Sequence, residues 1–521
     1  MNYMIVKRGR KAKVGQRQQQ KDVKQLRQHL DLMCRGDDDR MTSCVLSLAR
    51  HFNLKVSSMS EFKMVQENFI YELELKSSRK ANAAAQMINR VAGQRIVTSM
   101  SSFYRRMRET REVPIVLDST AVGYSDVRHR LDLLANCRDS SAPSRQLRIS
   151  SDLGGGCLKT SVAFADSQSV HAVQIIHAVV VKKESYAVMS AQVFSVYAEV
   201  KAWCLDHNIQ LFACSDLKML ALLLGHAGQS ASYPCVWCTL KKPQFHSKNV
   251  MMPVPSHYLR TEATSLQYAQ EFQRWAVRHP HATKEEHHVQ SKQCKSIENI
   301  PLRSIHLHNY APAPMHVFMG IVNDIIKYEF KPTFGAETIS QILYDRRVYF
   351  DRHQQHALSG NAVKLFLNSA DSILLSIHSV CKTTFSLNFV RRYSKFLKNL
   401  LALYSLCMRI AELSDFDVND FANCCRKYVR YRESCMRLMH NDKPWFRNLT
   451  PKEHALLSHF EAFMLSHRSI GRFSEQSHES VHHSFNVAAE QFKSEHEFVN
   501  KLPYILRSVN EKHLWRSNPN V

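Results

Sequence analysis

The residues of this chain that could do chemistry form one set of hard oxygen ligands and one set of soft sulphur and nitrogen ligands. Carboxylates suit magnesium, and three of them can hold the two ions used in phosphodiester cleavage and strand transfer. Two thiolates and two imidazoles suit a single structural zinc ion. The candidate acids are Asp152, Asp216 and Glu479, and the candidate zinc ligands are Cys235, Cys238, His454 and His459.

Two of the acids stand out because each closes an apolar, strand-like stretch of sequence. Asp152 follows residues 147–151, and Asp216 follows residues 209–215. An acid is less expected at the end of a buried strand than on a solvated surface. Asp152 also precedes three glycines, which let another backbone approach closely. Asp118 follows a similar apolar run and remains a competitor.

The candidate zinc ligands come in pairs that are weak signals when taken separately. Cys235 and Cys238 have the C-x₂-C spacing of a zinc half-site, in a chain with 14 Cys. Spacing alone does not choose between the two matching histidine pairs, which are His454 with His459 and His478 with His483. On an ideal helix, residues five apart point about 140° away from each other. Either pair therefore needs a break in its helix to converge on one ion.

Composition predicts a basic, largely helical protein of several domains. The 521 residues exceed one ordinary core, and Gly (14) and Pro (15) are scarce. A net charge of +24 favours a polyanionic partner such as double-stranded DNA. Many cysteines without a secretory signal indicate a reducing compartment. No apolar run approaches the ~18 residues of a membrane span, so we expect no membrane association.

The first 112 residues are expected to form a basic helical DNA-binding region. Residues 1–30 carry nine basic residues against Asp22, which suits a nuclear-import signal, a DNA-backbone arm or a solvated tail. Residues 81–108 have the pattern of a helix, a glycine-containing turn and a second helix, as in helix-turn-helix proteins. The candidate DNA contacts are Arg79, Lys80, Arg90, Arg95, Arg105, Arg106 and Arg108.

Residues 113–238 have the order strand, strand, strand, helix, strand, helix, which resembles a ribonuclease H-like core. In that core one acid lies near the end of the first strand, and a second follows the fourth. Residues 239–453 are expected to be all-α, with continuous helices over 339–357 and 362–380. Residues 454–500 carry the histidine pair and a closing helix with Glu479, and residues 501–521 are a tail. The predicted class is α+β: a ribonuclease H-like core interrupted by a zinc-stapled helical insertion, with a helical N-terminal DNA-binding region.

The combination resembles the Transib transposases and the catalytic subunit of the vertebrate V(D)J recombinase, which are DDE enzymes. In that family the second Asp, the first zinc Cys, two His, a Ser-Ile-Gly and the last Glu recur at nearly the steps found here. The steps are 19 residues (216 to 235), 5 (454 to 459), 10 (459 to 469) and 10 (469 to 479). The likeness also touches residues 313–316 and covers roughly residues 147–495. The CACTA–Mirage–Chapaev transposases share similar features and are the alternative branch.

The resemblance implies a magnesium- or manganese-binding catalytic triad of Asp152, Asp216 and Glu479. It implies that Cys235, Cys238, His454 and His459 bind one zinc ion. It further implies a nuclear DNA transposase or recombinase that cuts transposon ends as a homodimer. The alternative is a transposase-derived DNA-binding protein that no longer cuts. This chain departs from the V(D)J enzyme in its short gap between the two Asp (216 − 152 = 64), and Glu475 competes with Glu479 from one helical turn away.

Overall fold

The computed structural model describes residues 114–136, 145–166, 172–245, 250–350, 357–380, 387–439, 449–491 and 498–517. The predicted N-terminal DNA-binding region lies outside these residues, and so do its candidate contacts, Arg79, Lys80, Arg90, Arg95, Arg105, Arg106 and Arg108. The described residues combine one mixed sheet with a larger helical part. The predicted α+β class is therefore confirmed.

The sheet consists of β1 (Ile115–Val116), β2 (Ala121–Gly123), β3 (Gln146–Gly154), β4 (Cys157–Phe164), β5 (Gln174–Val180) and β6 (Gln210–Ala213). Within the described residues these six strands lie in the order β1-β2-β5-β4-β3-β6. Neighbouring strands are antiparallel except β3 and β6, which run parallel. β4 is buried along its whole length, because it lies inside the sheet and both of its faces are covered.

A tight turn joins β3 to β4 and fixes their register. Gly155 and Gly156 form this turn with φ of 64° and 75°, a left-handed conformation that suits a two-residue hairpin and favours glycine. Asp152 consequently lies opposite Lys159 in the ladder. The glycines after Asp152 therefore serve the hairpin that carries this acid.

Most of the helices follow the six strands in the sequence. After β2 comes α1 (Val127–Asn136). Between β5 and β6, a helical stretch runs through Tyr186–Val188 and a π-helical turn, Met189–Val193, into α2 (Phe194–Asp206). The next helices are α3 (Leu217–Leu223), α4 (Glu262–Arg278), α5 (Lys284–Gln293), α6 (Pro314–Ile325), α7 (Ala336–Asp345), α8 (Gly360–Asn368) and α9 (Ala370–Val380). The last are α10 (Leu387–Cys407), α11 (Asp415–Met439), α12 (Pro451–Ser458), α13 (Phe460–His467), α14 (Gln476–Gln491) and α15 (Phe498–Ser517).

Two hydrophobic clusters cover the two faces of the sheet. The larger one joins Leu147 and Ile149 of β3 to α2, α3 and the helices beyond. The smaller one joins Cys157 of β4 and Ile175 of β5 to Phe485 of α14 and to α15. The C-terminal helices therefore cover the face of the sheet opposite to α2 and α3, and this positions α14 beside β3 and β4.

The structure differs from the sequence-based expectations at four places. Asp152 lies inside β3 instead of directly after a strand, because the hairpin extends the strand to Gly154. The helix expected over 339–357 ends at Asp345, since Arg347 adopts a left-handed backbone with φ of 59°. The helix expected over 362–380 is two helices that meet at Ser369. Residues 498–517, expected to be mostly tail, form α15, whose apolar residues pack on the sheet.

Candidate metal centres

Cys235, Cys238, His454 and His459 form a buried cluster that could hold a zinc ion, and their expected convergence is confirmed. Their ligand atoms all lie within 4.8 Å of one another. Cys235 Sγ is 3.3 Å from His459 Nε2, Cys238 Sγ is 3.3 Å from His454 Nε2, and the two Nε2 atoms are 3.1 Å apart. Tetrahedral bonds of about 2.0 Å to nitrogen and 2.3 Å to sulphur place ligand atoms roughly 3.3–3.8 Å apart. The donor set and the spacing therefore fit zinc.

A break between two helices lets the histidines converge. His454 lies on α12, which starts with Pro451 and a capping box between Thr450 and Glu453. His459 lies between α12 and α13, with φ of −125° and ψ of −26°. The non-helical conformation of His459 turns its ring toward that of His454. The helix break that the spacing required is thus present.

The protonation of the cluster suits metal binding. Burial lowers the pKa of His454, which favours the neutral imidazole that can donate a lone pair. Burial raises the pKa of Cys235, but a hydrogen bond with Cys238 and the neighbouring His459 and His454 bring it well below its usual range. The hydrogen bond with Cys235, together with burial, raises the pKa of Cys238. The cluster therefore favours one thiolate even without a metal, and a bound cation would favour two.

Aromatic rings and backbone groups orient the four ligands. The ring of Phe245 stacks on His454 with centroids 3.9 Å apart. The backbone N–H of Trp237 donates to Cys235 Sγ at 3.4 Å, and the guanidinium of Arg260 donates to the Cys235 carbonyl. Such contacts set ligand direction in metal sites. The cluster joins the loop after α3 to the start of α12, on either side of the helices α4 to α11.

The competing histidine pair does not contribute to this cluster. His478 is buried beneath the sheet, where its Nδ1 lies 2.7 Å from Ser161 Oγ, and burial lowers its pKa well below the usual range. His483 is exposed on α14. Of the two pairs left open by spacing, His454 and His459 are the ones beside the cysteines.

The two aspartates lie near the C-terminal ends of two neighbouring parallel strands, β3 and β6. Ile149 of β3 pairs with Ala213 of β6, and each aspartate follows its paired residue by three positions (152 − 149 = 216 − 213 = 3). Asp216 is the N-cap of α3, where its Oδ1 accepts a hydrogen bond from Met219 N at 2.7 Å. Burial raises the pKa of Asp216, and the charge of Asp152 raises it further. Because β3 and β6 run parallel, both acids lie at the same end of this pair of strands.

Glu479 joins the aspartates from α14. Burial raises the pKa of Glu479, and the charge of Asp152 raises it further, while His316 and His482 lower it. A neighbouring negative charge raises the pKa of a carboxyl group, so Asp152 lies close enough to act on Glu479. Among the described residues, however, only the Cys/His set draws its ligand atoms within 4.8 Å of one another, so the acids are spread more widely.

Exposure separates Glu479 from Glu475. The Glu475 side chain is 3% exposed, whereas those of Glu479 and Asp152 are 36% and 33% exposed. Glu475 Oε1 accepts hydrogen bonds from the backbone N (2.8 Å) and Nδ1 (2.9 Å) of His316. Glu479 is therefore the more accessible of these two carboxylates.

Asp118 does not belong to this group of acids. It follows β1, at the edge of the sheet opposite to β6. Its exposed carboxylate accepts hydrogen bonds from Thr120 and Gln192, and these bonds, led by the Thr120 backbone, lower its pKa. Asp118 caps a turn at the far edge of the sheet.

Three basic side chains near the acids were not identified from the sequence as site residues. His482 Nε2 lies 2.8 Å from Asp152 Oδ2. His316 Nε2 lies 3.3 Å from Glu479 Oε1, and although burial lowers its pKa, Glu475, Glu479 and Asp216 together raise it to about 9. Lys159 is buried opposite Asp152, and its Nζ donates to the carbonyl of Gly154. The only sequence signal was the position of His482 three residues after Glu479, on the same helix face.

Lys452 is a fourth basic residue of this region. It lies on α12 two residues before His454, and its side chain crosses Gly320 of α6, where a Cβ would overlap its end. Burial lowers the pKa of Lys452, and the charges of Asp324 and Asp216 oppose this. Lys452, whose charge interacts with that of Asp216, therefore lies on the same helix as His454 of the Cys/His cluster.

Comparison with known proteins does not identify the chain, because no protein-family model and no curated protein matches it. Within the part of the chain that the structure describes, no helix is both long and apolar enough to cross a membrane.

Proposed function

We propose that this chain is a DDE-type DNA transposase or recombinase, similar to the Transib transposases and the V(D)J recombinase. It would cleave and join DNA strands with two magnesium or manganese ions held by Asp152, Asp216 and Glu479. The observation that carries the proposal is the approach of three acids from distant parts of the chain. Two follow paired positions on β3 and β6, and the third lies on the helix whose His482 contacts Asp152.

The sheet supports a ribonuclease H-like core. Three consecutive strands, β3, β4 and β5, are antiparallel, and β6 adds in parallel beside β3 after the crossover helix α2. The order β5-β4-β3-β6 resembles the first four strands of such a core, in which the first acid would lie on the first strand and the second acid after the fourth. The helices α4 to α11 would then be an insertion whose two ends meet at the Cys/His cluster.

Each acid would contribute differently to the reaction. When bound, the two ions would activate the attacking water or 3′-hydroxyl and stabilise the leaving oxygen. Asp216 is held by its own capping bond to Met219, so its carboxylate direction is set by α3. Asp152 and Glu479 are more exposed and are each contacted by a histidine, His482 and His316 respectively. These contacts would orient both carboxylates, and a protonated His316 would offset part of the charge of Glu479 before metal binds.

The charge of the chain supports DNA as the partner. The net charge of +24 suits the phosphate backbone, and we place the main DNA contacts in the N-terminal 112 residues. Cleavage at two transposon ends requires two active sites held side by side, which favours a homodimer. The basic segment 1–30 would direct the protein to the nucleus.

The test is nicking of a supercoiled plasmid by the full chain in Mg²⁺ or Mn²⁺, with EDTA as the metal-free reference. Wild type should nick the plasmid only with metal, and Asp216→Asn should not. Asp118→Ala is the matched control, because Asp118 is an exposed acid after a strand of the same sheet. Salt-sensitive DNA binding without nicking would identify the alternative, a transposase-derived protein that binds DNA without cutting it.

A further inference from the structure

Glu475 is a buried carboxylate that the proposed reaction does not use. Its side chain is 3% exposed, and it lies one helical turn before Glu479. Burial of a carboxylate is costly unless polar partners compensate its charge. The partners of Glu475 therefore indicate what the residue does.

One oxygen of Glu475 holds the first turn of α6. Oε1 accepts from the backbone N of His316 at 2.8 Å and from its Nδ1 at 2.9 Å. The opposite ring nitrogen, Nε2, lies 3.3 Å from Glu479 Oε1. A single imidazole thus bridges the carboxylate of Glu475, just before α14, and that of Glu479 in the first turn of α14, and its ring orientation is fixed from the Glu475 side.

A side chain of β3 also holds the backbone next to Glu475. The guanidinium of Arg148, fully buried on β3, donates to the carbonyl of Ser474 at 2.7 Å. Glu475 Oε2 is buried and has no hydrogen-bond partner among the described residues. Glu475 is therefore anchored to the same strand that carries Asp152, with its bonded oxygen aimed at His316.

We propose that Glu475 is a positioning residue that sets the orientation of the Glu479 carboxylate through His316. This inference rests on the proposed function, since it takes Glu479 to be a metal ligand. Glu475 orients His316, and His316 holds one oxygen of Glu479, so the other oxygen would be available to an ion shared with Asp152. Groups that orient ligand side chains typically change metal affinity or activity about 10–100-fold when removed.

The variants Glu475→Gln and Glu475→Ala should differ in how well they hold His316. Glutamine keeps a carbonyl oxygen that can accept both hydrogen bonds from His316, whereas alanine removes the acceptor. A true metal ligand would behave differently, because an amide replaces a charged ligand poorly. His316→Phe removes the bridge from a residue that is 24% exposed, and it serves if Glu475→Ala does not fold.

The experiment measures Mn²⁺ binding by electron paramagnetic resonance without DNA, beside single-turnover cleavage and DNA affinity. We expect Glu475→Ala and His316→Phe to weaken Mn²⁺ binding and slow cleavage about 10–100-fold. Their combination should be no worse than either alone. Glu475→Gln should stay near wild type, and so should Glu490→Ala, an exposed acid on the same helix. DNA affinity should not change.

Three results would overturn this role. Glu475→Ala could match wild type in Mn²⁺ binding and cleavage, or Glu475→Gln could be as inactive as Asp216→Asn. The effects of Glu475→Ala and His316→Phe could also simply add. In all three cases wild type still binds Mn²⁺ and cuts DNA, so only the positioning role fails. Wild type that neither binds Mn²⁺ nor cuts DNA would instead remove the proposed function and this inference with it.

Discussion

Nε2 of His482 lies 2.8 Å from Oδ2 of Asp152, a contact between residues 330 positions apart (482 − 152). It joins α14 to β3 beside Asp152, one of the proposed catalytic acids. Gly154 makes the approach possible, because a Cβ at this position would lie 2.5 Å from His482 Nδ1. The absence of a side chain at Gly154 therefore leaves room for the His482 ring beside Asp152.

His482→Ala should therefore slow cleavage about 10–100-fold without loss of DNA affinity, since it removes a group that orients Asp152. Gly154→Ala should give a similar defect, because the added methyl group displaces the same ring. The measurement is single-turnover cleavage beside filter binding, with His483→Ala as the exposed neighbour control. Wild-type rates in both variants would show that the contact has no role in the reaction.

The Cys/His cluster should hold one zinc ion per chain. His459→Ala and Cys235→Ser should each reduce the zinc content measured by mass spectrometry and lower the melting temperature, because structural zinc contributes directly to folding. His478→Ala and Cys294→Ser are matched controls at buried residues outside the cluster and should keep their zinc. Full zinc content in His459→Ala would contradict the assignment.

The stability of the folded chain should depend on pH through His177. Burial lowers the pKa of His177 from its ordinary 6.5 to about 4, so the unfolded state binds this proton first. His177 thus contributes stability that is fully present above pH 6.5 and is lost as the pH falls to about 4. In that window the loss is about 1.4 kcal/mol per pH unit.

The measurement is urea unfolding at several pH values for wild type and His177→Gln. Between pH 6.5 and 4, the free energy of unfolding of the variant should depend less steeply on pH than that of wild type. The difference in slope should correspond to about one proton taken up on unfolding. The comparison uses the slope and not the absolute stability, because the substitution itself can destabilise the sheet. Identical slopes would mean that His177 is protonated in the folded state.

A buried ion pair should stabilise the helical part. The guanidinium of Arg432 on α11 binds both carboxylate oxygens of Glu329, and the two side chains are 4% and 6% exposed. Tyr393 also donates to Glu329. Arg432→Met should cost about 3–5 kcal/mol in the free energy of unfolding, because it leaves a buried charge without its main partner. Glu329→Gln with Arg432→Met should recover part of that loss, and a double variant that is less stable than Arg432→Met would contradict this.

Four strands of the sheet, β3 to β6, could be predicted because their signal is local. The apolar runs that end near Asp152 and Asp216 correspond to β3 and β6. The end of β3 was wrong by three residues, because two glycines extend the hairpin beyond the apolar run. α15 was missed because its apolar residues are spaced among polar ones and are explained only by the sheet face they cover.

The candidate site was predictable where residue types repeat a known pattern, and not where contacts are long-range. Spacing left His454 and His478 as equal candidates, and only packing separates a zinc-cluster ring from one bonded to Ser161. The resemblance favours Glu479 over Glu475 by its offset from residues 469–471, and burial, which no residue pattern reveals, separates the two independently. His316 and His482 contact the acids from elements far away in sequence, so no local pattern could identify both.

The most direct test of the central claim replaces one acid with a thiol and asks which metal restores cleavage. Asp152→Cys is suited to this because Asp152, unlike Asp216, does not cap a helix. A thiolate ligand disfavours magnesium and accepts softer ions such as manganese. Single-turnover cleavage by Asp152→Cys should be lost in Mg²⁺ and recovered at least in part in Mn²⁺, with DNA affinity unchanged. Cleavage at the wild-type rate in Mg²⁺ would contradict the assignment of Asp152 as a catalytic metal ligand.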